Sequence, residues 1–577
     1  MKQPIIFCSP LLATLTTLSL ANAATYYAKP GGTGSTCGST SECSLGTAAG
    51  KAGAGDTVIL RDGNYGKTSL SPPNSGNSSA WITFQADTGA TPIIDGAGVG
   101  SSTSQYLRFV GIVSRFSQYG GFGNGYSAAC AQAQNGNMQY INCIADGNGI
   151  NGIAHYCAGG LLIQQSILAH NGNGTSSWSS AVNLYGVTGG TTANIVKETI
   201  AFDTIDTSST HSSTGKATDG SGFILDEYSQ GATFINNIGF ENGGSCIRLT
   251  NSSNSLIVNN SCYGNGKDPL ALYNDEILYS DAASRTGASL LNNVIVVTTT
   301  GKNAIGNGTG ITQSNNVTNA TAASFVSVPG AANVDLNLTS PATTLIDKGT
   351  TSNAPTGDIG FDPKCIKQGT VSGSGIPTWL TSPPSWWTYV IDYAYIQQIG
   401  GVAKCFNPRT RTSTPDIGAF EYNGTVTSTG GAPGTGGTTS TSSTMNTGGT
   451  TSATATGGKA ATGGTTSVTA TGGVNNTGGS NVVSATGGGG IGLTTGGALA
   501  IGGDSSVGGA VGTGGSVGSA GDSSTAGADS TGGAGTSTDA GSCSCRVTGQ
   551  RSNSTSLAGL GLLGMLVMRT LRRRQAR

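Results

Sequence analysis

The strongest constraint on this chain is that it repeats itself between residues 140 and 296. Five segments align: 140–149, 163–172, 195–204, 234–243 and 257–266, each an apolar stretch closed by Asn-Gly or Asp-Thr. A sixth, from Leu290, keeps the same register. Asn148 and Asn171 are 23 residues apart, as are Asn242 and Asn265. The intervals from Asn171 to Asp203 and on to Asn242 are longer, 32 and 39 residues, so those units carry insertions. A fixed period of this size signals a solenoid. The units are too short for a helix plus a strand and too rich in Gly and Asn for stacked helices. An ordinary β-sandwich would not predict the period. The reading is an all-β chain, a right-handed parallel β-helix, in which each turn of chain is a rung about 4.8 Å above the last. The pairs Asn236-Asn237, Asn259-Asn260 and Asn292-Asn293 predict a stacked ladder of amides at one corner. Their apolar neighbours Ile235, Ile238, Val258 and Val294 are expected to fill the interior.

Only 10% of the 577 residues are charged and the net charge is −1, which argues against a nucleic-acid partner, since that would need a basic stripe. Lys2, the apolar run 5–20 and the small-x-small sequence Ala21-Asn22-Ala23 read as a secretory signal over residues 1–23. Export permits disulfides. Twelve cysteines, less Cys8, Cys543 and Cys545 outside the body, leave nine, so one cannot pair within the domain. Cys37 with Cys43, and Cys365 with Cys405, are the candidate local bridges. Cys130, Cys143, Cys157, Cys246 and Cys262 are not assignable by sequence.

Residues 24–330 are expected to form the β-helix, and residues 331–422 a C-terminal cap with the Cys365–Cys405 loop. Residues 423–542, rich in Gly, Thr, Ser and Ala, cannot bury a core and read as a disordered linker. In the last segment, 543–577, Cys543-Ser-Cys545 precedes a short apolar run, 557–568, and a cluster of arginines. This order resembles the myxobacterial C-terminal sorting tail (MYXO-CTERM). The resemblance implies handling by a sorting protease and inner-membrane machinery, and display at the cell surface; a simple tail anchor is the alternative. The chain is expected to act as a monomer.

The opening stretch 54–65, with Gly63-Asn-Tyr65, looks like the first strand of pectate-lyase-like β-helix proteins. Asp56 and Asp62 there read as turn formers. The closing stretches around Asp347, Asp358 and Asp416 resemble the end segment of surface-anchored β-helix proteins, whose expected task is to cover the last rung's open edge. His155 and His170 lack metal-ligand spacing and read as structural. Trp386 and Trp387, in the Cys365–Cys405 loop, are candidate sugar-stacking residues, or simply packed.

β-Helices that act on polymers use one outer face, and the insertions near 206–222 and 267–288 locate it. Between them lies the rung with Arg248; if Phe223 and Leu225 point inward, Asn183, Ile224 and Arg248 form one outward column. The insertions concentrate the ionisable groups: His211, Lys216, Asp219, Asp226 and Glu227 around the first, and Lys267, Asp268, Asp275, Glu276, Asp281 and Arg285 in the second. The candidate catalytic groups are Arg248, Lys216, Asp226 and Glu227, with Asn183 as a substrate contact. Asp219, Asp226 and Glu227 are candidate ligands for Ca²⁺, which takes hard oxygen donors. Three chemistries stay open: Ca²⁺-assisted β-elimination on a uronic-acid polysaccharide, glycoside hydrolysis by paired carboxylates, and loop charges with no catalytic role, as in a polysaccharide-binding adhesin. The segment 220–227 (Gly-Ser-Gly-Phe-Ile-Leu-Asp-Glu) resembles a rung of the family-9-type pectate lyases. Ile224 stands where that family has its catalytic lysine, and the preceding Ca²⁺-binding Asp-rich segment is missing. The resemblance therefore implies the fold more than the machinery.

Overall fold

Each repeat makes three short strands because its apolar runs are broken, every few residues, by a position in the left-handed region. In one unit, Leu161–Gln164, Ile167–Ala169 and Val182–Tyr185 are separated by Gln165 (φ 51°) and His170 (φ 54°). The left-handed conformation costs an ordinary residue about 1 kcal/mol, and Asn tolerates it best. The first-corner column is accordingly Asn142, Gln165, Glu198, Asn236, Asn259, Asn292 and Asn315, all at positive φ.

The computed structural model describes residues 23–125, 130, 136–174, 178–207, 217–372, 375–422 and 424. Residues 1–22 of the secretory signal, the linker and sorting tail beyond residue 424 with Cys543 and Cys545, and the insertion residues His211 and Lys216 lie outside the described residues. The rungs stack into three parallel sheets of 11, 9 and 8 strands, in which each strand pairs with its counterparts one turn before and after. This is the right-handed parallel β-helix, the hand that parallel crossovers take. A short helix, Leu45–Lys51, capped by the Ser44 hydroxyl, buries Leu45, Ala48 and Ala49 in the core.

The amide ladder forms with the second asparagine of each pair. Asn237 Nδ2 donates to Asn260 Oδ1 (3.0 Å), Asn260 to Asn293 (2.9 Å), and Asn293 to Asn316 (3.0 Å), all turned inward. The first asparagine turns outward and binds the C-terminal segment: Asn236 donates to Gly357 O, Asn259 to Asp416 O, Asn292 to Thr350 O and Asn315 to Lys348 O. The left-handed residue also resets which side chains face in. Phe234, Ile257 and Leu290 fill the interior, whereas Ile238 and Val294, expected inside, sit on the outer face of the second sheet. Ile235 and Val258 likewise fall outside the interior cluster.

That outer face explains the placement of residues 331–422. They run back along the second sheet and bury its outward side chains. Ile200, Phe202, Ile238, Phe240, Val294 and Val296 form one core with Leu336, Phe361, Tyr389, Ile396 and Phe420. Arg411, fully enclosed, ties Glu421, Asn236 and the Gly418 carbonyl together. Both faces of the second sheet are therefore apolar, as for a strand buried on two sides.

Both candidate disulfides form, Cys37–Cys43 and Cys365–Cys405, and two more join Cys130–Cys157 and Cys246–Cys262. The odd cysteine is Cys143, a free thiol pushed up to about 12 by burial. Asp56 and Asp62 accept backbone N–H bonds from Ala24 and Thr91, as turn-forming carboxylates do.

Candidate functional site

The third sheet presents two outward columns, fixed by its register. One runs Gly100, Gly123, Ala154, Asn183, Ile224, Arg248, Leu278. The other runs Tyr156, Tyr185, Asp226. Phe223, Leu225, Ile247 and Leu249 point into the core, so Asn183, Ile224 and Arg248 do share an outward column.

Both insertions leave the chain between the second and third sheets and meet above this face, where Leu272 N donates to Ala217 O (2.8 Å). Asp206 organises the first insertion by accepting from the Thr218 and Asp219 amides. Asp219 then reaches Arg248, with Oδ1 2.9 Å from Nη1. Arg248 also donates from Nη1 to the Thr218 carbonyl and from Nε to Ser280 Oγ (3.1 Å), and its guanidinium lies 4.3 Å from the Tyr273 ring centre. A buried guanidinium needs this kind of matched acceptor set to offset its desolvation. Burial holds the Asp219 carboxyl well above the usual range, against Arg248, with Asp226 and Asp206 adding to the rise. Asp226 stays partly exposed; burial pushes it up to about 6 while Arg248 and the Glu227 amide hold it down. Burial also pushes Glu276 up to about 7, although both its oxygens accept from Asn265. Asp268 is raised by burial and by Asp206.

The candidate calcium ligands do not assemble into a calcium site. Asp219 is turned onto a guanidinium, Asp226 Oδ1 accepts the Glu227 amide, and a fixed cation amid the donors opposes a second one. Among the described residues no group of three or more His, Cys, Asp or Glu side chains converges to hold a metal ion.

Trp386 and Trp387 do not sit on this face. Trp387 is 3% exposed, 5.2 Å from the His170 ring, and packed with Ile205 and Leu380; Trp386 borders the same cluster. His170 itself has partners that its sequence context did not signal. Its Nδ1 is 2.7 Å from Asp146, its Nε2 is 2.8 Å from the Tyr389 carbonyl, and Tyr393 bonds Asp146 from the C-terminal segment. Both ring nitrogens face acceptors, so although burial opposes the charge, Asp146 and Asp203 raise the His170 pKa overall. His155 points into the core, where burial lowers it to about 4.

The residues that sequence reasoning missed are aromatic. Tyr119, Trp178 and Tyr228 are 68%, 51% and 52% exposed, and all three flank the third sheet. Tyr228 meets Tyr185 edge-on at 5.8 Å, and Tyr185 stands 6.2 Å from Tyr156. The available signal was register: Tyr156 and Tyr185 occupy equivalent positions of successive units.

No family model and no curated protein matches the sequence. Among solved structures, the chain is similar to pectate lyase Pel9A, at 16% identity and TM-score 0.40 over 60% of this chain and 96% of that one. It is similar also to an alginate lyase from Paenibacillus sp. str. FPU-7 (13% identity, TM-score 0.34, 51% and 95% covered) and to a rhamnogalacturonan lyase (15%, 0.31, 54% and 92%). Likeness at this level carries no activity from those proteins to this chain.

Proposed function

We propose that this protein cleaves a polysaccharide on the outer face of its third sheet by β-elimination next to a uronic-acid carboxyl. The observation that carries the reading is Asp226: a partly exposed carboxyl held near pKa 6, beside Arg248, on the one face over which both insertions close. Above pH 6 its carboxylate can take the proton from the carbon next to the sugar carboxyl. The freed electron pair forms the carbon–carbon double bond, the glycosidic carbon–oxygen bond breaks, and the departing oxygen is protonated by solvent. Arg248 lies where its charge can offset the negative charge gathering on the substrate carboxyl. Lys216 and Glu227 are the other proton-handling candidates. No step is routed through Ca²⁺, because the donor set does not fit it.

The second reading is a polysaccharide-binding surface protein without catalysis, favoured by how completely Arg248 and Asp219 close on each other. Secretion through the N-terminal signal, and surface anchoring through the C-terminal tail with its sorting machinery, complete the proposal; their support is the sequence.

The test incubates the full-length protein with a panel of uronic-acid polymers and follows the ultraviolet absorbance of the unsaturated product. Activity should rise as pH passes 6 and fall at least ~100-fold in Asp226→Asn, the usual worth of a general base. New reducing ends without absorbance would establish hydrolysis, and binding without either product would establish the adhesin.

A further inference from the structure

The third-sheet face changes character along its length. Its downstream rungs carry the Asp219–Arg248–Asp226 cluster, whereas its upstream rungs carry aromatic rings and no cation. The floor there is Gly123, Ala154 and Asn183, small or amide side chains, of which Ala154 and Asn183 are buried. On one side stand Tyr119 and Trp178, just before Phe122–Gly123 and Val182–Tyr185, two rungs or about 10 Å apart along the axis. On the other side Tyr156, Tyr185 and Tyr228 follow on successive rungs. A third-sheet strand such as Val182–Tyr185 has four residues, so its two ends are about 10 Å apart. Between them Asn183 is buried, yet its Oδ1 has no hydrogen-bond partner among the described residues. An unpaired buried amide oxygen is costly, and a ligand hydroxyl would satisfy it.

We infer that this stretch is a track for a chain of uncharged pyranose rings, leading into the Asp226 cluster. Aromatic faces match the C–H faces of sugars, and rings repeated along the axis suit a polymer rather than a single small molecule. The charge pattern selects the polymer. From Phe116 to Val196 the sequence has no Lys or Arg and one carboxylate, Asp146, which is bound to His170 and Tyr393. A polyuronate lying across these rungs would bring a row of charges with no Lys or Arg of these rungs to neutralise them. The inference rests on the proposed cleavage at Asp226 and narrows its substrate: uncharged or esterified sugars lead up to the residue that reacts.

The experiment compares two polymers of one backbone, polygalacturonate and its methyl ester, in which each carboxylate is replaced by a neutral, methyl-capped ester, by titration calorimetry with the full-length protein at low and high salt. The ester should bind at least tenfold more tightly, with little effect of salt. A Trp178→Ala/Tyr228→Ala double variant should lose at least tenfold of that affinity while its melting temperature is unchanged. Asp226→Asn should bind the ester as wild type does, which separates the track from the chemistry. Polygalacturonate binding as tightly as the ester, or a double variant that binds like wild type, overturns the track even where cleavage persists. Failure of the wild type to bind either polymer overturns it as well. An Asp226→Asn protein that still cleaves removes the catalytic assignment and leaves the track standing.

Discussion

The second and third sheets are built from the same rungs yet meet their surroundings differently. On the second sheet, Phe202 and Phe240 stack at 4.9 Å and lie under Tyr389, so their outer surface is core. On the third sheet, Tyr185 and Tyr228 also touch, but Tyr228 remains half exposed. Guanidinium groups are closed off on both sheets, Arg248 by Asp219, Ser280 and the Thr218 carbonyl, and the exception is the carboxyl of Asp226. Arg411 on the second-sheet flank is closed by Glu421, Asn236 and backbone carbonyls, while Asp226 on the third-sheet face keeps a partly exposed carboxyl with a raised pKa. An aromatic side chain thus marks core or candidate site depending on what covers it, and burial separates the two more sharply than residue type does.

The sharpest test of this contrast is a pair of truncations of one kind. Phe240→Ala should cost about 3–5 kcal/mol, the usual cost of deleting a buried aromatic ring, seen as a lower urea midpoint. Tyr228→Ala should stay within about 0.5 kcal/mol of wild type, as surface changes do. Equal costs would erase the distinction between the faces.

The next test concerns Glu276, which ends the amide stack Asn242–Asn265 beneath the third-sheet site. Its folded pKa, about 7 against the usual 4.5 of a glutamate, is raised. Its stabilising contribution is therefore complete below pH 4.5 and is lost as pH rises through 7. Over that window the group removes about 3 kcal/mol of stability. Urea unfolding at a series of pH values should show this decline, and Glu276→Gln should flatten it. An unchanged slope in the variant would place the pH dependence elsewhere.

A further effect is expected at the first corner, which joins the first sheet to the second. Asn260→Ala removes a side chain that bonds Asn293, the Phe234 carbonyl and the amide of Asn237, leaving buried groups unpaired. A loss of about 1–3 kcal/mol is expected by thermal unfolding, with polysaccharide binding retained.

The solenoid was legible in the amino-acid order alone. A 23-residue spacing, the Asn pairs and the low charge permit few other folds, and the outward column Asn183, Ile224, Arg248 follows from strand alternation once the register is known. Two disulfides were also legible, because Cys37–Cys43 and Cys365–Cys405 close local loops. The facing of the Ile238 and Val294 side chains was not. One left-handed asparagine shifts the alternation, and whether an outward Ile is tolerable depends on a segment far along the chain that covers it. The same dependence separates Trp387, sealed against His170, from Trp178, left on the surface; both stand within two residues of a serine, in loops that look alike. Local sequence sets the repeat because backbone geometry and turn preference act over a few residues. What covers each face, and with it the pKa of Asp226 and the exposure of the tyrosines, is set by contacts between residues far apart in the chain, which exist once the chain has folded and not before.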